Sequence, residues 1–310
     1  MGVQGETPNA ARSFVWACVG HAILIPLWTL APLPVVLGVA CLFSSSLAPA
    51  GVALLTLSAF LNFGITLRKR EWVAQALMRL GMSNYYSVCE LRGALASMGA
   101  PRTLYCYHPH GILAAGFVVN GCWSSHFHTL VDERTGEPTI FLVASNLREW
   151  GTFFKVLCDL SGRLGSASKL QIMRWMQQGR NLAIIPGGFE DATIFKNGLD
   201  RTFIKRRKGF VKYALQHGYK LQPIYTFGET DTYTTWTRCV SFRLWLNSLS
   251  IPAVLFWGQA LLPLFPRCSA KLYSYVGEPL QLPCIPEPSA EQVDLWHSKY
   301  VAALQALFDT

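Results

Sequence analysis

Charged side chains are what this sequence has least of: Asp, Glu, Lys and Arg make up 15% of its 310 residues, where ordinary soluble domains carry about 25%. With 51% hydrophobic residues the chain is too apolar to be disordered, and part of its surface is expected to face something other than water. No Asn-x-Ser/Thr acceptor occurs, which agrees with a body that does not meet the secretory lumen. The nine cysteines are an odd number, scattered without paired spacing, so a disulfide-built secreted domain is not expected. Also missing are a Gly-x-Ser-x-Gly elbow, a phosphate-binding Gly-x-x-x-x-Gly-Lys-Ser/Thr and a Gly-x-Gly-x-x-Gly. Their absence argues against serine hydrolases, P-loop enzymes and dinucleotide oxidoreductases.

The missing charge is concentrated at one end. Residues 13 to 67 contain no acidic or basic side chain and are interrupted only by His21 and Ser44-Ser45-Ser46. A helix needs about 20 residues to cross a hydrocarbon core about 30 Å thick, so two passes are predicted, over 14–43 and 49–67, within an N-terminal hairpin unit of residues 1–70. Pro26, Pro32 and Pro34 predict that the first pass is kinked or only dips into the bilayer. A buried helical hairpin of a soluble protein is the competing reading. Arg12 on one flank and Arg68-Lys69-Arg70 on the other place both ends of the hairpin on the cytosolic side.

The net charge of +9 lies wholly in residues 68–310, the basic end of the hairpin and the body (residues 71–310), which suits anionic headgroups and phosphorylated co-substrates alike. Short apolar runs at Thr103–Tyr107, Thr139–Ala144, Asn181–Ile185, Leu221–Phe227 and Lys271–Val276 predict strands. Between them, apolar residues at helical spacing predict helices over Glu149–Leu160, Ser168–Gln178, Arg207–His217 and Ser289–Phe308. Alternation of the two predicts an α/β fold with a mostly parallel sheet flanked by helices. Residues 240–266, rich in Leu and Trp with Arg243 as the one charge, read either as a core insertion or as a second membrane-contacting element.

Three stretches carry chemistry. Tyr107-His108-Pro109-His110-Gly111 follows a predicted strand, and the C-terminal edge of a parallel sheet is where α/β folds place their sites. Pro109 restricts the chain and Gly111 frees it, presenting two imidazoles at a tight corner suited to general-base removal of an alcohol proton. Ile185-Pro186-Gly187-Gly188-Phe189-Glu190-Asp191 ends another strand; its glycines allow close backbone approach to an anion or oxyanion, and Glu190 is placed to hold the imidazole's far nitrogen. Lys205-Arg206-Arg207-Lys208, with Lys212 beyond, offers phosphate-pairing cations. Cys106, His108, His110, Cys122, His126 and His128 do not match common zinc spacings, so no metal is expected. Nucleic acid is a poor partner because the apolar hairpin has no role there.

These residues resemble the membrane-bound diacylglycerol acyltransferases of type 2, with their monoacylglycerol and wax-alcohol relatives. The likeness spans nearly the whole chain. It runs from Tyr107-His108-Pro109-His110-Gly111 through the glycine pair and acid block to Arg207-Lys208-Gly209-Phe210-Val211-Lys212. It continues through Phe227-Gly228-Glu229 and Val276-Gly277-Glu278-Pro279 to His297-x-x-Tyr300 and Leu307-Phe308. Many relatives separate the glycine pair from the acid by two residues; here Phe189 alone precedes Glu190.

The resemblance implies esterification of a neutral-lipid hydroxyl, diacylglycerol foremost, by acyl-CoA as co-substrate, without a cofactor. It implies residence in the endoplasmic reticulum membrane with access to lipid droplets. It also implies catalysis at His110, with His108 and Glu190 in support and Pro109, Gly111, Gly187, Gly188, Arg206, Arg207, Lys208 and Lys212 at the substrates. Monoacylglycerol or a long-chain alcohol is the alternative acceptor, and a hairpin-anchored lipid-droplet protein the non-enzymatic alternative. The His and downstream Asp signature of glycerol-phosphate acyltransferases is not present, since neither the fourth nor the fifth residue after either histidine is Asp: Ile112 and Leu113 follow His108, and Ala114 and Ala115 follow His110. A homo-oligomer is compatible with the sequence. For topology, protease treatment of sealed microsomes should remove tags at both termini; protection of one tag alone would make the number of passes odd.

Overall fold

The computed structural model describes residues 10–132, 136–249, 251 and 253–309; Ser250 and Pro252 of the segment 240–266 lie outside them. Among the described residues ten strands form: β1 (Val88–Gly93), β2 (Thr103–His108), β3 (Ile140–Val143), β4 (Leu164–Ser166), β5 (Leu182–Ile184), β6 (Lys220–Phe227), β7 (Thr234–Thr235), β8 (Phe256–Trp257), β9 (Lys271–Val276) and β10 (Leu280–Gln281). Eight build one sheet in the order β1-β9-β6-β2-β5-β3-β4, with β10 also paired to β6; β7 and β8 form a separate ribbon. From β6 to β4 every pairing is parallel, β9 runs antiparallel to β6, and β1 lies parallel to β9. The expected α/β class with a mostly parallel, helix-flanked sheet is the one observed.

β2 is buried along its whole length, as an interior parallel strand covered on both faces must be. The period of two sorts its side chains. Tyr105 and Tyr107 enter one core, with Phe117, Phe127, Phe141 and the first helix. Leu104 and Cys106 enter the other, with Leu182, Leu221 and Tyr300. His108, next in the same phase, therefore points toward the C-terminal helix Ala290–Phe308. That helix is fixed at its start by a capping box: Ser289 Oγ accepts the Gln292 N–H at 3.3 Å, and Gln292 Oε1 accepts the Ser289 N–H at 2.9 Å.

Five strands were not foreseen from sequence: β1, β4 and the two-residue β7, β8 and β10. β1 carries Glu90 and Arg92 at a sheet edge, where charge is tolerated, and β4 is three residues with a central glycine. The helix expected over Glu149–Leu160 is two helices, Ser145–Trp150 and Thr152–Ser161, broken at Gly151.

The N-terminal region departs from two straight passes. Helix Ala10–Thr29 gives way at residues 30–32 to Leu33–Cys41, with a bend of 52°, which is where the prolines remove helix donors. The return helix Ala48–Ala59 ends in a wider turn at Phe60–Gly64 and the chain is then extended. Among the described residues no single helix is long and apolar enough to cross a membrane, though the bent pair is so together by length and composition. Leu33–Cys41 and Ala48–Ala59 touch through glycines: a Cβ on Gly51 would lie 2.7 Å from the Gly38 carbonyl oxygen, so larger residues would force the pair apart. The first helix instead packs on the body through Ala17 and Leu24, and the turn after it through Ala31, with His21 stacked on Tyr85 at 4.1 Å.

A buried ionic cluster ties the end of the hairpin to the body. Asp159 pairs with Arg148 and with Lys155 Nζ at 2.8 Å and accepts the Leu67 N–H at 3.3 Å, while Lys155 also donates to the Ile65 carbonyl at 2.9 Å. Burial pushes the Asp159 carboxyl up, but Lys155 and Arg148 outweigh it and hold it below the ordinary aspartate range. Asp159→Ala leaves two cations without their counter-charge and should cost about 3 kcal/mol, read as a lower unfolding midpoint of the purified protein; an unchanged midpoint would remove this cluster from the account.

Candidate active site

Because β2, β5 and β6 run parallel, their C-terminal ends emerge along one edge. β2 delivers His108, then Pro109 through a cis peptide, His110 and Gly111. β5 leads through Ile185-Pro186-Gly187 into the short helix Gly188–Ile194, which carries Glu190 and Asp191. β6 leads through Phe227-Gly228 to Glu229.

The two imidazoles occupy different settings. His108 is 0% exposed; its Nε2 shares a 2.8 Å hydrogen bond with the Tyr300 hydroxyl, and burial pushes its pKa down to about 3. It is a neutral, fully enclosed ring. His110 donates from Nδ1 to the Gly111 carbonyl at 3.1 Å, and since a carbonyl only accepts, this contact leaves Nε2 with the free lone pair. Burial lowers the His110 pKa, with Asp191 and the Gly111 carbonyl opposing the shift. The ring is thus a neutral base at physiological pH.

The carboxylate beside His110 is Asp191. It is 3% exposed and accepts the His110 N–H at 3.2 Å, the Thr202 hydroxyl at 3.1 Å and the Phe203 N–H. Burial raises its pKa against those bonds. Glu190 turns away into an ion pair with Arg207, so the structure does not bring it to the imidazole's far nitrogen as expected. Neighbouring residues on a helix point about 100° apart, so only one of the two acids can face the His110 turn. The signal was available: Asp191, not Glu190, has the two-residue spacing after the glycine pair that many relatives use.

The Glu190–Arg207 pair brings the cation run to the glycine-pair block. Arg206 lies over the Phe203 ring at 5.9 Å, Lys208 pairs with Asp294 at 2.6 Å, and Lys212 is exposed in the first turn of helix Gly209–His217. Gly188 spends its N–H on the Ile185 carbonyl at 3.2 Å. The six Cys and His side chains weighed as metal ligands do not converge; among the described residues no group of three or more metal-ligating side chains is placed to hold an ion.

His110 and Gly188 border a cavity of about 520 Å³ whose other walls are almost wholly apolar, among them Ile112, Phe117, Leu142, Leu147, Trp150 and Phe189. Its volume is within the roughly 300–1,000 Å³ usual for small-molecule sites. Trp28, Thr29, Ala31 and Pro32, at the bend of the first hairpin segment, close one side, and Val254 and Phe256 close another. The arrangement places a neutral imidazole at the boundary of a space that only an apolar chain would fill.

A family model described as diacylglycerol acyltransferase matches residues 52–310. The chain belongs to the diacylglycerol acyltransferase family. It is 28% identical to Diacylglycerol O-acyltransferase 2 of Danio rerio over 78% of this chain and 69% of that protein. It is 30% identical to Acyl-CoA wax alcohol acyltransferase 1 of Homo sapiens over 78% of this chain and 76% of that protein. The chain spans about two thirds of the length of several curated relatives, 64% for Diacylglycerol O-acyltransferase 2 of Homo sapiens. A solved 1-acyl-sn-glycerophosphate acyltransferase from Thermotoga maritima aligns over 97% of this chain and 98% of its own at a TM-score of 0.44 and 10% identity, too distant to argue from. Acyl transfer, the enzyme class expected from sequence, is the class of the family.

Asp191 and Glu190 are separable by substitution. Asp191→Asn places an amide N–H₂ against donors and should cost activity on the order of 100-fold through displacement of the His110 turn. Glu190→Gln, which loses only a half-exposed ion pair, should cost a few-fold. Initial rates at matched protein levels check this, and equal losses would contradict the division.

Proposed function

We propose that this protein transfers the acyl group of a fatty acyl-CoA to the hydroxyl of a neutral lipid, with diacylglycerol as the acceptor and triacylglycerol as the product. The observation that carries the reading is the placement of the His110 ring at the edge of the apolar cavity with Nε2 free. Nε2 takes the proton of the acceptor hydroxyl as its oxygen attacks the thioester carbonyl. The backbone amides of Gly111 and Gly187 support the oxyanion, the Gly188 amide being already engaged. Collapse of the tetrahedral intermediate forms the ester, breaks the C–S bond and releases CoA thiolate, which takes the proton back from the imidazolium. A thioester is activated enough that no covalent enzyme intermediate is needed.

In this reading His108, enclosed and bonded to Tyr300, braces the turn without touching substrate. Arg206, Arg207, Lys208 and Lys212 meet the phosphates of CoA at the rim. The hairpin lies in the endoplasmic reticulum membrane with the body on the cytosolic side, in reach of lipid droplets. The segment 240–266 makes a second membrane contact. Phe242, Trp245, Leu255 and Trp257 are exposed there and Leu261 is 94% exposed, while Arg243 is turned inward onto the Ala253 and Trp236 carbonyls at 2.7 Å. Exposed aromatics around a site that takes lipid are suited to the membrane interface. The identity to a wax alcohol acyltransferase supports a long-chain alcohol as the second acceptor to try, alongside monoacylglycerol.

Membranes containing the protein, supplied with labelled acyl-CoA and each acceptor in turn, test the assignment. His110→Ala should lower kcat at least about 100-fold with little change in acyl-CoA binding, and His108→Ala should be milder. Near-native turnover by His110→Ala would remove the mechanism, and absence of any ester product from the wild-type protein would remove the activity.

A further inference from the structure

One buried carboxylate at the site takes no part in the transfer just described. Glu229 is 1% exposed and forms no ion pair with any described Lys, Arg or His. Its Oε1 accepts the Ala115 N–H at 2.9 Å and its Oε2 the Gly116 N–H at 2.8 Å, the amides that open the helical segment Gly116–Cys122. Its stem rests on Gly111, where an added Cβ would lie 2.6 Å from Glu229 Cγ; Gly111 itself has φ +64°, a conformation that favours glycine. A single side chain thus touches both ends of the stretch 111–116 that directly follows His110.

We propose that Glu229 is a positioning residue for His110: by gripping two amides at one end of that stretch and packing on Gly111 at the other, it sets where the imidazole and the Gly111 backbone stand against the cavity. The grip depends on ionisation. A carboxylate offers both amides an acceptor, whereas a protonated acid turns one oxygen into a donor facing an N–H.

The titratable groups facing Glu229 are Tyr86, Cys89, Tyr225 and Tyr233; burial pushes all four up, so they stay neutral and lend it no positive charge. Burial raises Glu229 to about 7, with the two amides pulling the other way. As pH falls through about 7 the clamp therefore loosens, while His110, whose pKa lies below 6.5, keeps its base form. Stability moves in the opposite sense. A carboxyl raised in the folded state imposes a cost that builds between its ordinary 4.5 and about 7 and is relieved as pH falls back through that range. A merely structural role would not separate the two.

The test is Glu229→Gln in purified protein, with kcat and acyl-CoA KM measured from about pH 5.5 to about 8.5, unfolding midpoints in parallel, and His110→Ala alongside. Expected are a kcat lower by on the order of 10 to 100-fold at the alkaline end, an acyl-CoA KM near native and a midpoint no lower than wild type. The kcat profile should also lack the wild-type limb near pH 7. A variant with native kcat and native profile overturns the proposal. Should the variant fail to fold, the wild-type profile decides: a limb near 7 separate from one below 6.5 supports the role, and a single limb below 6.5 overturns it. The proposal rests on His110 as the base, so an active His110→Ala withdraws that reading as well, whereas an inactive His110→Ala beside an unaffected Glu229→Gln withdraws only the role of Glu229.

Discussion

Strand β2 pairs in parallel on both sides, with β6 from Thr103 against Lys220 through His108 against Tyr225 and with β5 from Leu104 through Cys106. Everything at the site follows from that register. It brings the ends of three strands to one edge, so that residues about 80 and 120 positions away in the chain meet the His108–Gly111 turn. A shift of one residue would turn His108 from the Tyr300 side to the aromatic core on the other face and would carry the whole turn with it.

Within that frame the site is held by buried polar groups in unequal circumstances. Asp191 is satisfied by two amides and a hydroxyl, and Glu229 by two amides only. Among the described residues neither has a cation to compensate for lost hydration, and burial raises both. Such groups cost stability; what they supply is a defined backbone path around His110. Asp159 shows the contrasting case, where Lys155 and Arg148 outweigh burial and the cluster serves anchorage of the hairpin rather than chemistry.

Much of this was legible in the sequence because its signals are local. Apolar runs ending in His-Pro-His-Gly and in Pro-Gly-Gly mark strands that deliver loops to one edge, and the prolines of the first segment mark its bend. What was not legible depended on turns of helix or on contacts across the chain. Whether Glu190 or Asp191 faces His110 is decided by where helix Gly188–Ile194 begins, and Gly188 alone does not announce it. Glu229 stood in the Phe227-Gly228-Glu229 motif, yet its contact with Gly111 joins residues 118 apart in numbering. β4 was too short to carry a period, and the alternation of Glu90 and Arg92 in β1 masked an edge strand as loop.

The central claim is that the apolar cavity beside His110 holds the acyl chain, with the bend of the N-terminal hairpin as one of its walls. Photolabelling of membranes containing the protein with acyl-CoA bearing a diazirine at the chain terminus, followed by peptide mapping, tests it most directly. Label is predicted at the cavity walls, in residues 28–32 and 142–151, and should be displaced by excess unlabelled acyl-CoA. Displaceable label found only on the exposed face of 242–261, with none at the hairpin bend, would contradict it.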